Sequence, residues 1–469
     1  MFRLSSMTRR LALVLLAPGV LCVACDGTER DLGLSGGDGG SDAAIAIDAG
    51  GDDGPSADAS TFSGQVTCNV APCVTALSAK GGSHICALLA DKTVRCWGGN
   101  SSGELGAETV PNGDAGLGDG GAVGAHSPKP VRVANVENAT QISVSGSSRT
   151  SCGRIEDGSV MCWGSNTHAQ LGLDTDRALP DTDPHPHASR VQGLPFASRV
   201  DLAGAFACAI GEPSENGSEG GSMHCWGENS VLQLGRGYSP TRNGVVGPVA
   251  LRFRRALAGS GTMRVAFAIA DSGELLSWGG SEWETTGSFG LPPQRDALGR
   301  ETSFSPDGDP RAIPGLAHVS RIAAGEQHAC AISRGNAYCW GQNATGAVGN
   351  SSRADVFAPY LVTVLGAGEL ADVAASNKTT CVTSREGRAY CWGDNADGQL
   401  GDGSADFTFN PARVEGLNAR VVQMAPMDRA TCALLEDGSV RCWGSNAEGQ
   451  LGIGVRDDLP HYSPQSVVF

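Results

Sequence analysis

The chain has 469 residues and a formal net charge of -16, with 67 glycines and only 5% aromatic residues. This length exceeds one ordinary hydrophobic core, so several domains or a repeat array are expected. The acidic balance argues against nucleic acid as a partner, because phosphates require a basic protein face. Abundant glycine with few aromatic residues suits many short strands joined by tight turns.

Residues 1–24 are predicted to be a lipoprotein-type signal peptide. Three arginines precede the apolar run Leu11–Val23, which is too short for a membrane span. The run leads into Val-Ala-Cys at Cys25, which resembles the bacterial lipobox, although Cys22 stands where leucine is usual. We expect Cys25 to be lipidated and to anchor the chain in the cell envelope. The alternative is cleavage near Ala24 without a lipid.

Residues 25–63 are predicted to be a disordered linker of Gly, Asp, Ala and Ser. Between residues 26 and 60 there are nine acidic residues and one arginine. Such a segment has too little apolar surface to offset the entropy of ordering. We expect it to hold the folded part, residues 64–469, away from the membrane.

A tripeptide repeat dominates the rest of the chain. Cys-Trp-Gly occurs six times, and an altered copy reads Ser277-Trp278-Gly279. Three of the spacings between successive tryptophans are 52, 52 and 51 residues, and the others are longer. A period near fifty residues indicates a repeat array. The six cysteines of the intact copies are Cys96, Cys162, Cys225, Cys339, Cys391 and Cys442.

The last copy shows how one unit is built. Val421–Ala425, Ala430–Leu435 and Ser439–Gly444 are short apolar stretches separated by turn residues, which is typical of strands in hairpins. After a Gln-Leu-Gly segment each unit continues to a short strand such as Pro411–Val414. Four strands form one antiparallel sheet that cannot bury both faces alone. Seven such sheets predict an all-β fold, a seven-bladed β-propeller.

The repeat resembles the regulator of chromosome condensation repeat in its Asp-Gly turn, its Trp-Gly-x-Asn segment and its Gly-Gln-Leu-Gly motif. Gly398–Gly401 and Gly449–Gly452 match that last motif in full, whereas Trp278–Gly290 has lost it. The resemblance covers about residues 68–469 and implies seven blades. Members of this family act as exchange factors for a small GTPase, and a secreted relative inhibits beta-lactamases, so it implies function through protein contact.

The ends of the chain suggest how the ring closes. The first copy begins at Cys68–Ala79 without a good preceding strand, and the chain ends in a strand-like segment, Pro464–Phe469. We expect this C-terminal strand to complete the first blade and close the ring. Deleting Pro464–Phe469 is then expected to cost much stability.

Twelve cysteines fall into six pairs within the predicted hairpins. Around the Asp437 turn, counting outward places Cys432 directly opposite Cys442, and opposed residues in an antiparallel pair lie within disulfide range. Zinc is the alternative, but zinc ligands are usually spaced two to four residues apart, and an exported chain favours oxidation. Cys68 and Cys73 are expected to form a further bridge. The predicted disulfides are Cys86–Cys96, Cys152–Cys162, Cys208–Cys225, Cys330–Cys339, Cys381–Cys391, Cys432–Cys442 and Cys68–Cys73.

Signals of catalysis are weak. Gly99–Gly103 fits the G-x-S-x-G pattern, but it aligns with a repeat loop and no helix follows it. His185-Pro186-His187 has no accompanying ligand cluster and is interpreted as an exposed insertion. His84 and His328 are expected to be packing or turn residues. No catalytic, cofactor or metal residue is therefore predicted.

The longest insertions are the predicted binding regions, since loops on a rigid scaffold carry most binding. Ala107–Lys129, Asp174–Ala188 and Ser281–Pro310 follow the Gln-Leu-Gly region, are predicted to come after the fourth strand, and are expected to share one face. The Gly211–Gly221 insertion is expected on the opposite face. Trp283, an extra tryptophan, is a candidate interface anchor.

These features favour a monomeric, envelope-anchored scaffold that binds a protein partner and has no catalytic activity. The partner and the process are not specified by the residues. The alternatives are an extracytoplasmic polysaccharide-active hydrolase or lyase, and an inhibitor of a secreted enzyme.

Overall fold

The computed structural model describes residues 64–107, 126–173, 180–211, 221–236, 243–249, 251, 256–262, 264–280, 297–301 and 306–469. The described residues between Gly64 and Phe469 form one compact unit. Its described regular structure consists of 28 strands in seven four-stranded antiparallel sheets. The predicted fold class, an all-β seven-bladed propeller, is confirmed.

Each blade is built from four consecutive strands that keep their sequence order in the sheet. Blades 1 to 3 contain β1 (Val74–Ser78), β2 (His84–Leu89), β3 (Val94–Gly98), β4 (Ser127–Arg132); β5 (Ala139–Ser145), β6 (Thr150–Ile155), β7 (Val160–Asn166), β8 (Asp181–Arg190); and β9 (Ala197–Ala203), β10 (Phe206–Gly211), β11 (Met223–Glu228), β12 (Asn243–Pro248). Blades 4 and 5 contain β13 (Ala256–Gly261), β14 (Val265–Ala270), β15 (Leu275–Gly279), β16 (Asp307–Ala312); and β17 (Val319–Ala324), β18 (His328–Ser333), β19 (Asn336–Gly341), β20 (Val356–Val362). Blades 6 and 7 contain β21 (Leu370–Ala375), β22 (Thr379–Ser384), β23 (Ala389–Gly393), β24 (Thr408–Arg413); and β25 (Val421–Pro426), β26 (Ala430–Leu435), β27 (Val440–Gly444), β28 (His461–Ser466).

The first strand of each blade lies innermost, around a central channel, and the fourth strand forms the outer edge. Every outer strand contains proline, which has no N–H to offer to another strand. Proline at these edges therefore disfavours pairing between the blades of different molecules. The prolines are Pro128, Pro130, Pro184, Pro186, Pro248, Pro310, Pro359, Pro411 and Pro464.

Ring closure differs from the prediction. The C-terminal strand β28 pairs with β27 inside the seventh blade, and the first blade already has its own outer strand, β4. The prediction that the C-terminal strand completes the first blade is therefore wrong. The chain end instead closes the ring by packing, since Phe469 makes an edge-on contact with Trp97 of the first blade at 5.9 Å between ring centroids.

The N-terminal segment also joins the two ends of the ring. Its backbone donates to the turn between β26 and β27, from Thr67 N to Glu436 O at 2.7 Å and from Asn69 N to Asp437 O at 2.9 Å. Val74 N, at the start of β1, bonds to Gly438 O at 3.1 Å. These bonds place residues 64–73 beside the last blade.

The repeat tryptophans connect neighbouring blades. All seven are fully buried, and each indole Nε1 donates to a backbone carbonyl of the preceding blade at 2.7–3.0 Å. Each acceptor stands one residue before the Leu or Val of the Gln-Leu-Gly segment or its drifted equivalent. The bonds run from Trp97 to Gln450, Trp163 to Glu104, Trp226 to Gln170, Trp278 to Gln233, Trp340 to Ala297, Trp392 to Ala347 and Trp443 to Gln399.

The glycine of each tripeptide is required by the backbone. In Gly444 φ is +104°, a left-handed conformation, and a Cβ there would collide with the carbonyl oxygen of Arg429. The preceding tryptophan, Trp443, lies where the register between β27 and β28 shifts, which is a bulge. The same arrangement recurs in all seven blades.

The cysteine of each intact tripeptide is joined across the central hairpin of its blade. The structure pairs the cysteines as the sequence predicts, with six cross-strand disulfides at 4.1 Å between Cα atoms and Cys68–Cys73 at 5.2 Å. In blade 4 the paired positions are Phe267 and Ser277. There a buried arginine, Arg300, bonds to Ser277 O at 2.9 Å and to Asp307 at 2.9 Å.

Candidate functional site: the channel and the loop face

The innermost strands enclose a channel with a volume of about 550 Å³. Its wall includes the residue of each first strand that pairs with the hairpin cysteine or its blade-4 equivalent. On blades 1 to 4 these residues are polar, and on blades 5 to 7 they are alanine, so at this level the channel wall is polar on one side and apolar on the other. The residues are Ser78, Ser143, Asp201, Ser260, Ala323, Ala374 and Ala425.

Two arginine–aspartate pairs face each other across this channel. Arg199 binds Asp201 through Nε at 2.7 Å and Nη2 at 2.8 Å, and Arg321 Nε lies 3.5 Å from Asp372. These side chains keep 13–25% of their surface accessible because they face the cavity. Burial raises the pKa of Asp372 to about 6, and the opposite charge of Arg321 limits that rise.

Lys80 crosses one end of the channel. It lies in the loop after β1, and its Nζ donates to Leu202 O of blade 3 at 3.4 Å and to Gly261 O of blade 4. Burial lowers the pKa of Lys80 to about 8, and Asp201 opposes this shift. The lysine thus joins blade 1 to blades 3 and 4 through hydrogen bonds across the channel.

Amide side chains hold neighbouring inner strands in register. Gln141 donates to Val200 O at 2.8 Å and accepts from Val200 N at 2.9 Å. Gln423 makes the same two bonds with Leu77, at 2.8 and 2.9 Å, across the junction between the last and first blades. These bonds join β5 to β9 and β25 to β1 along the channel wall.

The antiparallel topology gives the disk two distinct faces. Connections between the first and second strands, and between the third and fourth, emerge on one side, which we call the loop face. Connections between the second and third strands emerge on the other side, the hairpin face. Lys80 therefore lies at the loop-face end of the channel.

The three predicted insertions belong to connections on the loop face, which follow the third strand and precede the fourth in blades 1, 2 and 4, and not the fourth strand as predicted. Only those of blades 1 and 4 are long. In blade 2 the connection, residues 167–180, is no longer than its equivalents in blades 3, 5 and 6, and the rest of the predicted insertion belongs to β8. Residues 108–125, 174–179 and 281–296, including Trp283, lie outside the described residues. The insertion between β10 and β11 belongs to the hairpin face, so the expected separation of the faces follows from the topology.

The G-x-S-x-G and His-Pro-His motifs are part of the repeat structure. In Gly99–Gly103, the Asn100 side chain accepts from Leu105 N at 3.1 Å, as the equivalent asparagines do in other blades. His185 lies within β8, with Nε2 at 3.0 Å from Asp181 Oδ2. His185-Pro186-His187 is therefore part of an outer strand, and its prediction as an insertion is wrong.

His84 and His328 are buried and neutral. His84 Nε2 lies 3.0 Å from Ser151 Oγ, and His328 Nε2 lies 2.8 Å from Thr380 Oγ1, both in the next blade. Each hydroxyl also donates to a backbone carbonyl, so it accepts from the histidine. Burial lowers the pKa of His84 to about 3 and that of His328 to about 4.

Among the residues that the structure describes, no group of three or more His, Cys, Asp or Glu side chains is arranged to hold a metal ion. Within the same ranges no helix has the length and apolarity needed to cross a membrane. Cys25, the predicted lipidation site, lies outside them.

The charged residues of the channel were missed by sequence reasoning. Arg199 and Asp201 alternate with buried apolar residues, which is an ordinary strand pattern. A comparison between the repeat copies indicates these residues, because the position of Arg199 is polar in several blades. Its equivalents are Gln141, Arg321 and Asp372.

Comparison with known proteins identifies the family of the repeat. Profiles of the regulator of chromosome condensation (RCC1) repeat match residues 334–383 and 386–434, and also residues 74–104, 141–170, 319–347, 371–399 and 428–450. The chain therefore carries RCC1 repeats on a seven-bladed propeller.

Relatives and solved structures agree with this fold. The chain is 28% identical over 321 residues to the ultraviolet-B receptor UVR8 of Arabidopsis thaliana, covering 66% of each protein. Human WBSCR16 is similar in structure, with a TM-score of 0.66 and 19% identity over 80% of this chain and 95% of that one. Prp20p of Saccharomyces cerevisiae, described with binding to Gsp1p and histones, has a TM-score of 0.63 and 18% identity over 85% and 91%.

Proposed function

We propose that this propeller of RCC1 repeats is a protein-binding scaffold of the cell envelope without catalytic activity of its own. The observation that carries the proposal is that the long insertions of blades 1 and 4 leave the same face of a disulfide-braced ring. Loops presented together by a rigid scaffold form a contact surface at low entropic cost. The description of Prp20p binding to Gsp1p and histones supports protein contact as the mode of action.

The cysteine pairs support an oxidising location. Six hairpins are bridged within the described residues, and such bridges persist outside the reducing cytosol. We assign the chain to the extracytoplasmic side of a membrane, with lipidated Cys25 as its anchor.

The N-terminal segment of the propeller enters the disk on the hairpin face. Residues 67–74 bond to the β26–β27 turn, which belongs to that face. This segment therefore lies on the face opposite the insertions.

Loop deletions test the proposed surface. Removing residues 281–296 shortens the blade-4 insertion but keeps Ala297, whose carbonyl accepts from Trp340, and keeps the Arg300 pair. Crosslinking in native envelopes is expected to capture a protein partner with the full chain and to lose it after this deletion. Deleting residues 212–220 on the hairpin face is the matched control and is expected to keep the partner. The reverse result would contradict the assignment of the loop face.

The anchor is tested separately. Mass spectrometry of the mature protein is expected to show an acylated Cys25, and Cys25→Ser is expected to release the chain from the membrane fraction. An unmodified Cys25 would exclude the lipid anchor without affecting the evidence for the loop face.

A further inference from the structure

The channel is a pocket with unequal ends. At the loop face, Lys80 reaches across to the carbonyls of blades 3 and 4 and obstructs the exit. At the hairpin face the lining continues to Thr140 and Ser198, which are exposed. A solute can therefore enter from the hairpin face and stop beneath the lysine.

Two side chains inside this pocket can still form hydrogen bonds with a ligand. Arg199 uses Nε and Nη2 for Asp201, and among the described residues its Nη1 has no partner. Asp372 has Arg321 Nε as its nearest cation, at 3.5 Å, and accepts no side-chain hydrogen bond within the described ranges. The pocket thus presents an N–H donor on blade 3 and a carboxylate acceptor on blade 6.

The remaining wall suits a solute with one polar edge and one C–H face. At the level of the hairpin cysteines, the serines of blades 1, 2 and 4 contribute hydroxyl groups, whereas Ala323, Ala374 and Ala425 form an apolar side. The polar Arg321, Asp372 and Gln423 lie on the same three strands two residues earlier, nearer the hairpin face. Ligand sites commonly combine such apolar walls with a few placed polar groups, at volumes that include the 550 Å³ of this channel.

We propose that the channel binds a neutral polyhydroxylated solute of about monosaccharide size. A neutral solute is favoured because Arg199 and Arg321 are compensated by Asp201 and Asp372, so an ionic ligand would have to break one of these pairs. The other cations of the lining, Lys80 and Arg154, already donate to backbone carbonyls. Hydroxyl groups donate and accept, so they fit Asp372 and Arg199 at the same time. This site goes beyond the proposed function and does not depend on it.

Binding of myo-inositol and of D-glucose to the mature chain tests the site, by calorimetry and by ligand-observed NMR. At least one of the two is expected to bind saturably. Asp372→Asn keeps the shape but removes the charged acceptor, and is expected to weaken binding about tenfold or more. Ala374→Leu fills the pocket and is expected to abolish binding, whereas Ala405→Leu on the exposed surface is the matched control and should not change it.

Thermal melting and circular dichroism of each variant establish that it is folded. The absence of saturable binding for both probes would overturn the proposal, and so would binding that Asp372→Asn and Ala374→Leu leave unchanged. Tighter binding of D-glucuronate than of D-glucose would overturn the neutral class. Loss of partner capture in the loop-deletion experiment leaves this result unaffected.

Discussion

The buried histidines give the fold a sensitivity to mild acid. The pKa of His84 is about 3 and that of His328 about 4 in the folded chain, against about 6.5 for an exposed histidine. Below pH 6.5 the unfolded chain therefore binds more protons than the folded one. The free energy of unfolding then falls as the pH falls, from about 6.5 towards the folded pKa values.

The size of this effect follows from the two sets of pKa values. Between pH 7 and pH 5 each histidine is expected to remove about 2 kcal/mol from the free energy of unfolding. Replacing either by Gln keeps an N–H donor for the neighbouring hydroxyl, Ser151 or Thr380, but removes the titration. Between pH 7 and pH 5 the free energy of unfolding of each Gln variant should therefore fall by about 2 kcal/mol less than that of the native chain.

Urea unfolding at pH 7, 6 and 5 with the disulfides intact measures the difference. His318→Asn is the matched control, because His318 is exposed and Asn tolerates its left-handed φ of 52°. The control should follow the native chain at every pH. Parallel pH profiles for the native chain and the two Gln variants would refute the assignment of neutral, buried histidines.

Three further substitutions test the scaffold by equilibrium unfolding. Gly444→Ala should cost about 2 kcal/mol or more, since it adds a Cβ at a left-handed φ against a carbonyl oxygen; a neutral result would contradict the steric argument. Phe469→Ala should cost about 1–2 kcal/mol by removing the contact with Trp97, and no loss would show that the C-terminal end does not help to close the ring. Phe267→Cys with Ser277→Cys should form a seventh hairpin disulfide, detected by thiol titration, yet lower stability by about 1 kcal/mol or more. The loop contributes about 2–3 kcal/mol, which is less than the roughly 3–5 kcal/mol lost with a buried Phe, and the change also removes the hydrogen bonds of Ser277 Oγ with Leu298 O and Arg300 Nε; a more stable variant would refute this balance.

The sequence was sufficient for the features that depend on local register. Turn length fixes which residues face each other across a hairpin, so the cysteine partners could be counted outward from Asp437. Ring closure was different, because it depends on which neighbour an isolated strand joins. β4 follows a long insertion, so its place as the outer strand of the first blade was not recognised, and the C-terminal strand was assigned there instead.

The channel site could not be predicted for a related reason. Each first strand contains a bulge one residue before its channel-facing polar or small residue, as at Ser198 before Arg199. A bulge changes which side chains point inward, and simple alternation along the strand does not reveal it. The cavity itself arises from seven separate strands, among which Arg199 and Asp372 are far apart in the chain.

The bond from each tryptophan to the preceding blade bears on how such a chain can change during evolution. The donor is a side chain that every repeat retains, whereas the acceptor is a backbone carbonyl that any residue supplies. Glu104, Ala347 and Ala297 therefore serve as well as glutamine. One repeat can lose its loop motif or gain a long insertion and still accept the hydrogen bond from the tryptophan of the next blade. The ring is thus a framework on which individual loops are free to diversify.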